Sequence, residues 1–435
     1  MSIVSSRQGL PMERSAGGVA VGLSVLGRRM TRISGVQAAL GRRRQLLQAG
    51  RPFVDLSVGN PALLPEVADL WREAAVMVSS DSSFDQLVGS YGDLLGYRPL
   101  REAVAEMFSR EYGWSVEAKN VLVTSGSQMS SFLAINVVAG AGRTHERRVV
   151  VQPVVPEYPG YDQVLLSEGC LVSRKPGVVL DGPHQFTYHL ESRPASAVDN
   201  VVGFVLSRPS NPSGNVLTGK EMTSIVEQAS RSSAVVIVDA AYGSPVPGIA
   251  WSYSQPIWGE NVLHLVSLSK AGLPGERIGL MIGHEDILAA VAAFQANVTF
   301  HPSSIGQSMA ASVIANGTLA RLCENVIKAH YRERYHLVGE ILSVLLPDVP
   351  WYLHRSQGGI FAWLWFPKLP ITSEALSGIL ADDGVLVVPG EPFFQGLPEP
   401  WDHAHQCVRL SLTAEPVDLE AGILTLGRLL DRLHG

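Results

Sequence analysis

A chain of 435 residues can bury a large core and is long enough for two domains. Hydrophobic residues make up 46% and charged residues 17%, which excludes a disordered polymer, and the net charge of -6 gives no bulk attraction for nucleic acid. Cys170, Cys323 and Cys407 stand far apart, so they form neither a metal-ligand pair nor a disulfide framework, and a reducing cytoplasm is expected. No apolar run reaches the roughly 18 residues needed to cross a membrane.

The first 30 or so residues are rich in Ser, Gly and Arg, with Glu13 the only acid. Transit peptides share that composition with flexible extensions, and a flexible extension is expected. Arg42, Arg43 and Arg44 form a small basic cluster that reads as a solvated helix face. Val54 to Val58 predicts a short strand leading into Gly59-Asn60-Pro61. Ser90-Tyr91-Gly92 precedes a helical pattern from Leu100 to Phe108. Val121 to Thr124 predicts a strand, after which Ser125-Gly126-Ser127-Gln128 opens a helix to about Val138. Free amides at such a helix start suit an anion; an ordinary N-cap uses the same residues.

A strand over Val149 to Gln152 is followed by Pro156-Glu157-Tyr158-Pro159-Gly160-Tyr161. Residues 171 to 200 read as an irregular, peripheral excursion of the same domain. Val201 to Leu206 is an apolar strand ending in Ser207-Arg208-Pro209-Ser210-Asn211-Pro212-Ser213-Gly214, and Ala234 to Val238 is another, ending at Asp239. A carboxylate there needs a partner. A protonated pyridine nitrogen is one; capping a helix is the alternative. Val262 to Val266 and Ile278 to Ile282 flank Ser267-Leu268-Ser269-Lys270-Ala271-Gly272-Leu273-Pro274-Gly275-Glu276-Arg277. A lysine at the edge of a core strand suits a Schiff base with an aldehyde cofactor, with Ser267, Ser269 and Arg277 holding an anion beside it. A solvated loop lysine fits the spacing equally.

Apolar strands alternating with helices predict an α/β fold with a mainly parallel sheet covered on both faces, and ligands beyond its carboxyl edge. Further on, a long helical region from Met309 to Leu346 precedes strands near Gly359 to Phe366, Val385 to Val388 and Cys407 to Leu412. That pattern predicts a smaller α+β domain. The expected division is an extension at 1–30, the first part of the small domain at 31–75, a large domain at 76–310 and the rest of the small domain at 311–435.

The lysine segment, Asn211-Pro212-Ser213-Gly214, Asp239 with Tyr242, and Arg409 resemble, in this order, the fold type I pyridoxal-phosphate-dependent aminotransferases of class I/II. Gln357-Gly358-Gly359-Ile360-Phe361 and Trp363-Leu364-Trp365-Phe366 resemble most the branch that contains valine–pyruvate aminotransferase. The resemblance spans about residues 25 to 435. It implies pyridoxal 5'-phosphate bound to Lys270, with Asp239 on its ring nitrogen. Tyr158 would stack on the ring, and Asn211 and Tyr242 would bind the phenolic oxygen. Ser125, Gly126, Ser127, Ser267, Ser269 and Arg277 would hold the phosphate, joined by Tyr91 from the partner of a homodimer. Gly59, Asn211 and Arg409 would bind the substrate, Arg409 through the α-carboxylate.

The implied reaction transfers an amino group between an α-amino acid and a 2-oxo acid, with a specialised biosynthetic pathway as an expected setting. The Ser-Leu-Ser-Lys string also resembles aminocyclopropane-carboxylate synthases, which expel a γ leaving group from S-adenosylmethionine, so γ-elimination, γ-replacement or carbon–carbon bond formation is the alternative. A ligand-sensing regulator on this fold would need a DNA-binding domain, and the leader shows no helix-turn-helix pattern. Neither nucleic acid nor membrane is an expected partner. Ala240, His301, Ser303-Ser304, Glu391-Pro392 and Leu412 depart from the branch. With His301 and Glu391 near the substrate, the expectation is a larger, polar amino acid and little valine–pyruvate activity.

Overall fold

The computed structural model describes residues 22–32, 35–191, 198–252 and 255–434. Most of the expected N-terminal extension lies outside the described residues. The central sheet runs, in space, Val121–Thr124, Gly279–Ile282, Val262–Ser267, Val235–Asp239, Val201–Ser207, Arg147–Gln152 and Gly140–Ala141, with Leu171–Ser173 also on Arg147–Gln152. The strands from Val262–Ser267 to Arg147–Gln152 pair in parallel, as does Leu171–Ser173. Their runs of Val, Leu and Ile are buried on both faces, which only a sheet covered by helices on both sides can offer.

Gly279–Ile282 runs antiparallel to both neighbours, with Gly279 opposite both Ser267 and Thr124. It therefore begins at the edge where the parallel strands end. Ser207, Asp239, Ser267, Thr124 and the residues just before Gly279 all meet along that edge. Loops beyond strand carboxyl ends are where ligands gather in open α/β sheets.

A second sheet runs Val388–Pro389, Cys407–Ser411, Phe361–Trp365, Tyr352–His354, Gln185–His189 and Gly177–Leu180. Its last two strands correct the expectation for residues 171–200. Only Leu171–Ser173 joins the central sheet; the hairpin that follows pairs with Leu353 and His354 from the far end of the chain. Proline and glycine interrupt these short strands, which gives the segment its irregular pattern. The Val385–Val388 strand also divides: Val385–Leu386 pairs with Val54–Asp55, and Val388–Pro389 pairs with Cys407–Ser411. The expected helical region is broken at Gly317, whose φ of 72 is a left-handed conformation. It resumes as Thr318–Leu322, a five-residue π turn at Cys323–Ile327, and Lys328–Leu345. Among the described residues no helix is long and apolar enough to cross a membrane.

Candidate active site

A cavity of about 420 Å³ opens at the carboxyl edge of the central sheet, lined by Ser127, Tyr158, Asn211, Asp239, Tyr242, Ser267, Ser269, Lys270, Arg277, Gly59 and Arg409 among others. A larger hollow of about 660 Å³ lies beside the Gly177–His189 hairpin and holds none of the candidate cofactor- or substrate-binding residues.

Lys270 sits in a short turn just after Val262–Ser267. The turn is tied down where the Trp71 indole donates to the Ala271 carbonyl at 2.8 Å. Gly272, with φ 90, closes it, and a Cβ there would lie 2.3 Å from Val67. The Lys270 amine enters the cavity and donates to the Gly59 carbonyl. Desolvation, then the nearby Arg409 and Arg277, lower its pKa to about 8, against the pull of Asp239.

Asp239 faces Lys270 from the end of its own strand. Its Oδ1 accepts from the Ala241 amide at 3.0 Å and its Oδ2 from the Tyr161 hydroxyl at 3.0 Å. Burial raises its pKa to about 6, opposed by these two hydrogen bonds and by Lys270. The helix-cap alternative fails, because the carboxylate lines the cavity and makes no cap. Tyr161 was not legible as a site residue: its partner lies on another strand. Glu157 is likewise buried beside the site. It accepts from the Ser207 amide at 2.8 Å and the Tyr158 amide at 3.1 Å, and burial pushes its pKa up to about 8. Ser207 Oγ donates to Glu157 and accepts from the Asn211 amide at 3.1 Å. Glu157 thus ties the Tyr158 loop to the Asn211 loop.

At one end of the cavity, Gly126 has φ 89, and a Cβ there would lie 2.6 Å from the Arg277 guanidinium. The glycine leaves that guanidinium room against the start of the helix Ser127–Val138, whose first amides have no partner within the helix. Arg277 Nη1 donates to Ser269 Oγ at 3.3 Å, and Ser267 Oγ accepts from the Ser269 amide at 3.2 Å. Ser125 and Gly126 do not themselves line the cavity; Ser127, Gln128 and Ser131 do. The Tyr158 hydroxyl donates to Gln128 at 2.8 Å, which fixes its ring in the wall.

At the other end, Arg409 is only 3% exposed. Its strand position is therefore no solvated face. Nη1 donates to Asn211 Oδ1 at 3.0 Å and Nη2 to the Ser57 carbonyl at 3.1 Å, while Nε has no partner. The guanidinium lies 3.8 Å from the centroid of the Phe361 ring. Burial lowers its pKa to about 10. No carboxylate among the described residues pairs with it, and a buried cation in that state calls for an anionic ligand. Arg43 also lines the cavity and donates to Asp55 at 2.8 Å, so the basic cluster is not wholly a solvated face.

Tyr91 lies outside the cavity of its own chain. It is 86% exposed and stands edge-on to Phe300, with ring centroids 5.3 Å apart. His301 and Glu391 do not line the cavity either, which removes the argument for a polar substrate built on them. His301 accepts from the Gly92 amide at 3.1 Å. Glu391 accepts from Ser373 Oγ at 2.6 Å and the Glu374 amide at 3.2 Å, where it caps the helix Ser373–Asp382. Leu412 is buried in the core, and Ser303 caps the helix Ser304–Ala315.

These groups suit pyridoxal phosphate. An amine of lowered pKa faces a carboxylate across an aromatic-walled space, with a glycine-relieved arginine and free helix amides at one end for a phosphate. Comparison with known proteins agrees. Residues 51–423 match the model of the aminotransferase class I and II family. Valine–pyruvate aminotransferase of Escherichia coli is 35% identical over 410 residues, covering 94% of this chain and 98% of that protein. The solved valine-pyruvate aminotransferase of Salmonella typhimurium is 35% identical, with a TM-score of 0.83 over 91% of this chain and 99% of that one. A Psychrobacter arcticum protein solved as a candidate amino-acid aminotransferase is 31% identical, with a TM-score of 0.90 over 95% of this chain and 99% of that one. The chain belongs to the class I and II aminotransferases, pyridoxal-phosphate-dependent transferases of fold type I that exchange an amino group between an amino acid and a 2-oxo acid.

Proposed function

We propose that Lys270 carries the cofactor and moves the proton in this transamination. The observation behind that reading is the meeting of Lys270, Asp239 and Arg409, from three distant parts of the chain, in one cavity. When bound, pyridoxal phosphate supplies a ring that accepts the electron pair of the substrate Cα–H bond. Asp239 holds positive charge on the ring nitrogen, and Tyr161 and the Ala241 amide keep that carboxylate aimed. With that group in place, the Lys270 amine, which enters the cavity, would be the base that takes the proton from the substrate Cα and the acid that gives it back. A pKa of about 8 leaves more of this amine neutral near pH 7 than an ordinary lysine would have.

Tyr158 would face the ring, and the Asn211 side-chain amide and Tyr242 hydroxyl would be the donors for its phenolic oxygen. Asn211 Oδ1 is already taken by Arg409, so its NH₂ is the end left for the ligand. Arg277, Ser267, Ser269 and the amide of Ser127, which line the cavity, would hold the phosphate, with Ser125 and Gly126 shaping the turn behind them. Arg409 takes the α-carboxylate under the loop that carries Gly59.

We further propose a cytoplasmic homodimer in which Tyr91 reaches the partner's phosphate. Its exposure beside Phe300, which is 45% exposed, supports that role, and three free, buried cysteines support a reducing compartment. The division into a large domain of 76–310 and a small one of 31–75 and 311–435 is supported by the pairing of Val54–Asp55 with Val385–Leu386, with the Gly177–His189 hairpin crossing to the sheet of the small domain.

The test is mass spectrometry of products from a panel of amino acids, S-adenosylmethionine included, with several 2-oxo acids. One new amino acid and one new 2-oxo acid in equal amounts are expected. A product that keeps its amino group and loses a γ substituent would contradict transamination; the match to the class I and II aminotransferase family does not favour that alternative.

A further inference from the structure

Of the three clustered arginines near the N-terminus, only Arg43 lines the active-site cavity. It projects from the helix Gly35–Gln48. Its Nε donates to Asp55 Oδ2 at 2.8 Å, and Asp55 Oδ1 accepts from the Ser57 amide at 3.0 Å and the Ser57 hydroxyl at 2.7 Å. The Ser57 carbonyl in turn accepts from Arg409. Two guanidiniums at one cavity are thus linked through a single short segment, and each is held in a fixed orientation by it.

The way Arg43 is held is informative. Asp55 engages only the Nε side. The two terminal nitrogens have no partner among the described residues. A structural arginine at a helix–loop contact would spend its fork on the carboxylate; this one keeps the fork free. Arg42, its neighbour, is turned away instead, toward Ser377 at 3.4 Å. A free guanidinium fork matches a carboxylate, two donors to two oxygens. Val58 and Phe361 add apolar wall to the same cavity, suited to a methylene chain.

We infer that Arg43 binds a second carboxylate at the far end of the substrate, so that a dicarboxylic amino acid or 2-oxo acid serves as one partner in the reaction. This rests on the reading of Arg409 as the α-carboxylate site. The inference assigns Arg43 a part in specificity and none in proton transfer.

The test uses the holoenzyme and two unreactive probes. Glutarate offers two carboxylates and butyrate one. Arg43→Met is expected to raise the dissociation constant of glutarate by about 10- to 150-fold, the range for loss of a charge-assisted hydrogen bond, and that of butyrate far less. In turnover, the ratio of kcat/KM for 2-oxoglutarate to that for pyruvate falls by a similar factor. Arg43→Lys, which keeps the charge without the fork, shows a smaller fall in the same ratio. Equal weakening of glutarate and butyrate would overturn the inference, because it would mean that Arg43 only supports Asp55 and Ser57. No change in glutarate binding would overturn it as well. Arg409→Ala separates the two layers of the argument: butyrate binding that survives this variant would discredit the α-carboxylate site itself, whatever Arg43 does.

Discussion

At the floor of the cavity, both oxygens of Asp239 and both of Glu157 are engaged by donors of the protein. At its substrate end, Arg409 keeps an unpartnered Nε and Arg43 a free pair of terminal nitrogens. The floor is made of acceptors that the fold satisfies; the substrate end is made of donors that it leaves open. A group buried for positioning must be satisfied internally, because an orphaned buried polar atom costs about 1–3 kcal/mol. The buried Nε of Arg409 carries that cost until a ligand arrives, whereas the terminal nitrogens of Arg43, whose side chain is 42% exposed, are solvated until then. The contrast separates residues that hold the cofactor in register from those that read the substrate; the first three variants below each strike one side of it, and the last lies outside the cavity.

The largest effect is expected from Lys270→Ala, which removes the proton carrier at the floor. Steady-state rates should drop by at least about 10²–10⁴-fold, the usual contribution of a positioned acid–base group. The visible absorbance of the covalently held cofactor should vanish with it. A variant that keeps both would show that another lysine carries the cofactor.

Arg409→Ala strikes the substrate end. Substrate affinity should fall about 10- to 150-fold, from the loss of a charge-assisted hydrogen bond worth about 1.5–3 kcal/mol, while the cofactor absorbance stays. Loss of cofactor in step with substrate would place Arg409 on the floor side of the comparison.

Tyr161→Phe sharpens the floor without emptying it. The Tyr161 hydrogen bond lowers the pKa of Asp239, which burial holds at about 6. Removing that donor therefore raises the pKa further, and the carboxylate is lost at a higher pH on acidification. Cofactor affinity, measured against pH, should begin to fall at a higher pH in the variant than in the wild type. Coincident profiles would mean that Tyr161 only fills space.

The smallest effect belongs to Glu391→Ala. Loss of its hydrogen bonds to Ser373 and Glu374 should cost about 0.5–2 kcal/mol of stability, the range for a helix cap, with substrate preference unchanged. A changed ratio of valine to polar amino acid turnover would return Glu391 to the substrate site.

Much of the floor was legible in the sequence because its residues sit where buried apolar runs end. Val235–Asp239 and Val262–Ser267 announce a core strand, and a carboxylate or lysine at such a place demands a reason. Tyr161 and Glu157 were not legible, because what defines them is a partner on another strand, Asp239 for one and Ser207 for the other. Arg43 was hidden for the same reason: its neighbours in sequence are two more arginines, and only the pairing of Val54–Asp55 with Val385–Leu386 brings Asp55 and the cavity to it. His301 and Glu391 show the converse. Each was expected to face the substrate, yet His301 accepts from the Gly92 amide and Glu391 from Ser373 and the Glu374 amide, away from the cavity. The hairpin Gly177–His189 escaped because short strands broken by proline and glycine carry little periodicity, and its sheet partner lies far along the chain.

The account stands most directly on the covalent role of Lys270. Borohydride reduction of the holoenzyme followed by peptide mass spectrometry measures it. The expected result is one phosphopyridoxyl group per chain, on the peptide that contains Lys270. A group on another lysine, or full activity with none attached, would contradict the central claim.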